Sequence, residues 1–129
     1  MNRLRILTMF LLAYNITNAQ TKDYSQKVQS IDTTIKTLYT VISGEKGEAR
    51  NWELFNYLFH KDAKLIPSGT NREGKTGARF LTPQGYIDSS GKWLVENGFF
   101  EKEIGRKTER FGNIAQAFYE RHQQYSITS

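Results

Sequence analysis

"GFFEKEIGRKTERFGNIAQAFYERHQQYSITS", residues 98–129, decides the fold, because it alternates along two long runs on either side of one turn signal. Over residues 99–110, Phe100, Lys102, Ile104, Arg106, Thr108 and Arg110 share one face of an ideal strand, and Phe99, Glu101, Glu103, Lys107 and Glu109 the other. Neither face is purely apolar, which predicts a partly buried strand. Phe111-Gly112-Asn113 then turns the chain. Beyond it, Ile114, Gln116, Phe118, Glu120 and His122 alternate with Ala115, Ala117, Tyr119, Arg121 and Gln123, whose small members leave room for a covering element. Only "YSITS" follows, so an open row of backbone donors and acceptors is expected along the second strand.

Upstream of this pair the hydrophobic period is helical. Val28, Ile31, Ile35, Leu38, Tyr39 and Ile42 recur at spacings of three and four, and Gly44 and Gly47 mark the polar link "GEKGEAR" that follows. In "NWELFNYLFH", Trp52, Phe55 and Phe59 form one stripe with Leu54 and Leu58 beside it and Asn51 as N-cap, predicting a short helix whose aromatic stripe belongs to the core. Short strands are expected at residues 63–66 and 78–81, joined loosely by "PSGTNREGKTG". Thr82-Pro83 begins a third helix that turns Tyr86, Ile87, Trp93 and Leu94 inward and ends at Asn97-Gly98. Gly85 and Gly91 oppose it, each costing about 1 kcal/mol relative to alanine. There is no internal repeat or low-complexity tract.

A chain of 129 residues fits one domain around one core. Its first twenty residues, "MNRLRILTMFLLAYNITNAQ", place Arg3 and Arg5 before an apolar run from Ile6 to Tyr14 and a small-residue exit at Thr17-Asn18-Ala19. That order of charge, apolar run and cleavage site is the pattern of a secretory signal peptide over residues 1–19, with Gln20 as the mature N-terminus and a periplasmic or extracellular destination. A buried N-terminal helix would leave the order of basic, apolar and polar segments unexplained. The apolar run is too short for a membrane span, which needs about 20 residues. Removing Arg3 and Arg5 takes the formal charge from +5 to +3, a modest excess that gives no footprint for nucleic acid. With no cysteine, disulfides and thiolate metal sites are excluded. The glycosylation acceptor Asn15-Ile16-Thr17 falls in the segment expected to be removed.

With "WELFNYLFHKDAKLIP", "TPQGYI" and "GFFEKEIGRKTERFGNIAQAFYERH" in this order, residues 31–122 resemble the nuclear-transport-factor-2-like superfamily and, within it, the SnoaL-like proteins. The resemblance implies an α+β fold over residues 20–129, a cone-like curved antiparallel sheet packed against three helices with a pocket between them. It also implies a small apolar or amphipathic ligand. Members of the superfamily continue with a further hairpin where this chain has five residues, so the sheet is expected to be incomplete at the C-terminus. Either the gene product is shortened, or another chain completes the sheet, as in a homodimer. The fold hosts isomerases, cyclases, dehydratases and non-enzymatic proteins alike, so it implies a pocket and no particular chemistry.

Proton-moving enzymes of this fold use a carboxylate or histidine inside the cone, where burial moves its pKa toward the working pH. The residue types available are Glu101, Glu103, Glu120, Asp62, His60 and His122, with Tyr57 and Tyr119 as donors. Glu103 and His122 are the catalytic candidates, each set against a plainer role: an ion pair of Glu103 with Arg106, and a solvated position for His122 near the chain end. Trp52, Phe55, Tyr86, Trp93, Phe118 and Tyr119 are the ligand-binding candidates, set against a place in the core. His60-Lys61-Asp62 reads as a solvated turn. Two histidines 62 positions apart make no zinc pattern. Gly69, Gly74, Lys75 and Thr76 satisfy the bare spacing of a phosphate loop, but a short strand follows where that motif requires a helix. No metal or cofactor is expected.

Overall fold

A computed structural model describes residues 22–125; the expected signal segment and its cleavage site lie outside the described residues. A 3-10 turn, Ser25–Val28, leads into helix α1, Ile31–Ile42. Ser30 starts α1 with a reciprocal cap: its Oγ accepts from Thr33 N at 3.1 Å and Thr33 Oγ1 accepts from Ser30 N at 3.0 Å. Helix α2, Trp52–Tyr57, begins where Asn51 Oδ1 accepts from Leu54 N at 3.0 Å.

Strands β1, Ser68–Thr70, and β2, Thr76–Ala78, form an exposed hairpin. The sequence places its strands at residues 63–66 and 78–81; of these, Leu65 and Leu81 meet in a single bridge at the base, and the regular ladder runs further out. Local chemistry at the tip moves it there. Asn71 Oδ1 accepts from both Glu73 N and Lys75 N, closing a tight turn that brings residues 70 and 76 opposite each other. The spacing shared with phosphate loops is therefore a hairpin tip with no helix behind it.

The third helical segment is one run in three parts: α3, Pro83–Tyr86, a π-helical turn, Ile87–Gly91, and α4, Lys92–Asn97. Thr82 Oγ1 caps it by accepting from Gly85 N at 3.0 Å. Gly91 persists here despite its helix cost because Trp52 lies against the π turn; a Cβ at Gly91 would meet Trp52 Cζ2 at 3.2 Å.

Strands β3, Phe99–Phe111, and β4, Ile114–Tyr125, pair antiparallel around a two-residue loop in which Gly112 alone has positive φ, at 57°. Their register corrects the face assignment made from strict alternation. Glu103 sits opposite Arg121 and Gly105 opposite Glu120, so Ile104 is an extra residue, a β-bulge. Past the bulge the parity of β3 flips. Arg106, Thr108 and Arg110 join Phe99, Glu101 and Glu103 on an inner face with Tyr119, Arg121, Gln123 and Tyr125, while Lys107, Glu109 and Phe111 join Phe100 and Lys102 on the outer face with Ile114, Phe118 and His122.

The core gathers where α1, α2, α4 and the base of β3 meet: Tyr39, Val41 and Ile42 pack with Leu54, Phe55, Leu94 and Phe99. Phe55 is its centre, 1% exposed, stacked on Tyr86 at 5.4 Å and tilted against Phe59 at 4.9 Å. The result is an α+β architecture of three helical segments and two separate two-stranded sheets, open at their edges among the described residues. The hairpin of β3 and β4 is anchored at its base and leaves its distal half in solvent, with Phe111 88% and Ile114 71% exposed.

Candidate functional site

A cavity of about 950 Å³ runs along the edge of β3 where α1 lies beside it. Asp32, Lys36, Tyr39, Thr40 and Ser43 recur at helical spacing and turn one stripe of α1 toward it. From the hairpin come Phe100, Glu101, Lys102, Glu103 and Arg106, with His122 and Gln124 on the outer face of β4. Its size is that of a small-molecule site.

Backbone pairing at the base ties the link after α1 to β3. Gly44 and Phe99 exchange two hydrogen bonds, Gly44 N to Phe99 O at 2.8 Å and Phe99 N to Gly44 O at 3.0 Å. One step along, Ser43 Oγ accepts from Glu101 N at 2.9 Å and donates to Glu101 O at 3.4 Å, a side chain standing in for a neighbouring strand. Arg50, which sequence reasoning treats as part of a polar link, is buried and ties this corner together. Its guanidinium donates to Ile42 O at 3.1 Å, Gly44 O at 2.7 Å and Leu94 O at 3.1 Å, joining the end of α1, the link and α4. No pattern in the sequence marks it; only its burial does.

The lining carries four carboxylates, Asp32, Glu48, Glu101 and Glu103, and three basic side chains, Lys36, Lys102 and Arg106. Arg106, whose side chain is 16% exposed, pairs through Nη2 with Asp32 and through Nε with Glu103 at 3.3 Å. Residues 103 and 106 lie on opposite faces of a regular strand; the bulge at Ile104 is what brings them to one side. Glu101, 4% exposed at its side chain, accepts from Arg121 Nη1 at 2.9 Å and from Gln123 Nε2 at 3.2 Å. Among the described residues Arg106 Nη1 is buried without a hydrogen-bond partner, and the buried Tyr39 Oη, which meets no hydrogen-bond geometry, interacts with the Tyr119 side chain. Burial first, then the neighbouring Tyr119, Glu101 and Glu103, push the Tyr39 phenol far above its ordinary pKa, so it keeps its proton. Tyr119 stands edge-on to Tyr39, ring centroids 5.8 Å apart.

The residues nominated from sequence are distributed unevenly. Glu103 and His122 line the cleft, as does Glu101. Trp52, Phe55 and Tyr86 pack together in and against the core and do not line the cleft; burial and then Glu101 raise the Tyr86 pKa. Trp93 is half exposed and meets Tyr125 edge-on. Phe118 is exposed on the outer face, and Tyr119 does not line the cleft but stands edge-on to Tyr39, which does. Tyr57 packs edge-on to Tyr24 at 5.5 Å. His60 and Asp62 sit in an exposed turn where Asp62 N donates to His60 Nδ1 at 3.2 Å. Glu120 is exposed on the outer face of β4, opposite Gly105. No cluster of three metal-ligating side chains occurs among the described residues, and no helix among them is long and apolar enough to cross a membrane. No family model matches the chain, and comparison with curated proteins and with solved structures finds no match.

Proposed function

We propose that the chain is an exported small-molecule-binding protein of the nuclear-transport-factor-2-like, SnoaL-like type, taking an amphipathic ligand in the cleft between α1 and β3. The observation that carries this reading is the cleft itself, about 950 Å³ with Phe100 among its lining residues. The cone of that superfamily is the finer form of the proposal; the α+β order of three helical segments with a long antiparallel pair after them is what supports it. A thermal-shift screen of amphipathic compounds tests it. A binder raises the melting temperature and slows amide exchange in α1 and in Phe100 to Arg106; a screen in which no compound does both removes the reading. With a substrate in hand, Glu103→Gln and His122→Ala are the first variants to assay, and unchanged turnover in both rules them out as proton-transfer groups.

A second reading is supported by the hairpin. Among the described residues β4 has no strand on its free edge, and Ile104, Phe111, Ile114 and Phe118 leave apolar surface in solvent. An interaction module that pairs with a second copy through this sheet would cover both. Mass in solution discriminates: a dimer with slow exchange across residues 114–124 supports it, and a monomer with fast exchange there refutes it.

A further inference from the structure

We infer that β4 pairs antiparallel with β4 of a second copy of this chain, in the register that sets Phe118 opposite the partner's Phe118. This rests on the interaction reading above and specifies its edge and its register.

The edge of β4 is left ready to join. Its twelve residues, Ile114–Tyr125, contain no lysine and no proline, and the bulge of the hairpin lies on β3. Lysines, prolines and bulges are devices by which sheet edges refuse further strands, and β4 carries none of the three. From Ile114 to Tyr119 it has no charge at all, while Ile114, Phe118 and Tyr119 are exposed. The edge of β3 is guarded instead. It has the bulge at Ile104, it is met by Gly44 at its base, and Lys102, Lys107 and Arg110 stand exposed along it. A sheet joined through β4 therefore ends in β3 on both sides, and assembly closes at two copies.

Charge and size then select the register. A two-fold axis normal to the sheet keeps outer face with outer face, so odd positions oppose odd and even oppose even. Centred on Glu120 or on Arg121, the pairing opposes two like charges, which is destabilising. Centred on Tyr119 it sets each Phe118 against the partner's Glu120, and centred on Ala117 it sets each Ile114 against that carboxylate. Centred on His122 it leaves Ile114 uncovered. Centred on Phe118, the two rings meet on the outer face, with Ile114 opposite the partner's His122 and Gln116 opposite the partner's Glu120. On the inner face Ala115 and Ala117 lie opposite the partner's Arg121 and the partner's Tyr119, small against large, which fills the room beside the alanines. No charge opposes its like. The hairpin bases, and the cores packed on them, lie at opposite ends of the joined sheet.

The chain has no cysteine, so an introduced one reports a single position. Residues facing each other across an antiparallel pair have Cβ atoms about 4.5–5.5 Å apart, close to the reach of a disulfide. Phe118→Cys is expected to form an intermolecular disulfide about tenfold faster or better than Glu120→Cys under the same mild oxidation. A mixture of Gln116→Cys and Glu120→Cys chains, which keeps Phe118, should cross-link where neither does alone. In the parent protein, amide exchange across residues 114–122 should slow as rising concentration drives the mass to that of two chains. Glu120→Cys cross-linking as fast as Phe118→Cys overturns the register and leaves the interaction reading standing. So does a dimeric parent in which neither Phe118→Cys nor the mixture cross-links. A parent that stays monomeric at its highest soluble concentration removes both, and so does a monomer whose residues 114–122 gain slow exchange only on phosphatidylglycerol vesicles.

Discussion

Arg50 shows how one side chain can hold three elements with no ion-pair partner among the described residues. Its donors satisfy carbonyls at the ends of α1 and α4 that helical geometry leaves open, together with two in the link. Arg50→Met keeps much of the apolar stem and removes every donor, so those carbonyls lose their bonds inside the fold. The expected loss is about 3 kcal/mol, read as a fall in melting temperature of about 12 °C or more. A fall under about 3 °C would show that water replaces the guanidinium. Tyr39 yields a pH prediction. Its folded pKa lies above the unfolded value of 10.0, so the stability it contributes is fully present below about pH 10 and is lost as pH rises beyond it. Tyr86 shifts the same way, burial being the larger cause. Urea midpoints at pH 8 and pH 11 should therefore fall for the native protein and fall less for Tyr39→Phe. Equal falls would mean that Tyr39 does not govern alkaline unfolding.

Among the elements, the bulge in β3 decides most about the site. Ile104 is 63% exposed, so its side chain contributes little to packing; its effect is to add one residue before Arg106. Deleting Ile104 removes the residue that has no partner on β4 and leaves Glu103 opposite Arg121 and Arg106 opposite Tyr119. The deletion is expected to fold with a melting temperature within about 8 °C of the parent, about 1 kcal/mol or less, and to keep the dependence of stability on Asp32. A double-mutant cycle of Asp32→Asn with Arg106→Gln, run in both backgrounds, checks this. A coupling energy present in the parent and absent in the deletion would refute the register. The ion pair of Glu101 with Arg121 belongs to the same scale, since it ties the bases of the two strands. Arg121→Ala leaves a buried carboxylate with Gln123 alone and should cost about 2 kcal/mol, less than a fully buried pair because Arg121 is half exposed.

At the scale of the whole molecule, stability should fall from the core outward along the hairpin. The base is held by α1, Gly44 and the Phe55 cluster, whereas among the described residues the distal strands pair only with each other, and an isolated two-stranded ribbon is marginal in water. Amides of Phe99 to Lys102 should exchange slowly and those of residues 107–118 rapidly; slow exchange at the tip would show that a partner covers it. Much of this plan is legible in the amino acids. The period of Ile31 to Ile42, the caps at Asn51 and Thr82 and the alternation around Gly112 specify elements by local chemistry, because capping, periodicity and turn geometry depend on residues a few positions apart. Export, if residues 1–19 carry it, is likewise a local signal. The cleft is not legible in this way. The bulge that puts Arg106 beside Glu103 depends on the register against β4, and the burial of Tyr39 and the bond from Arg50 to Leu94 O join residues distant in the chain. Alternation predicts a face only while every residue of a strand is paired, and burial depends on what the rest of the fold brings against a side chain.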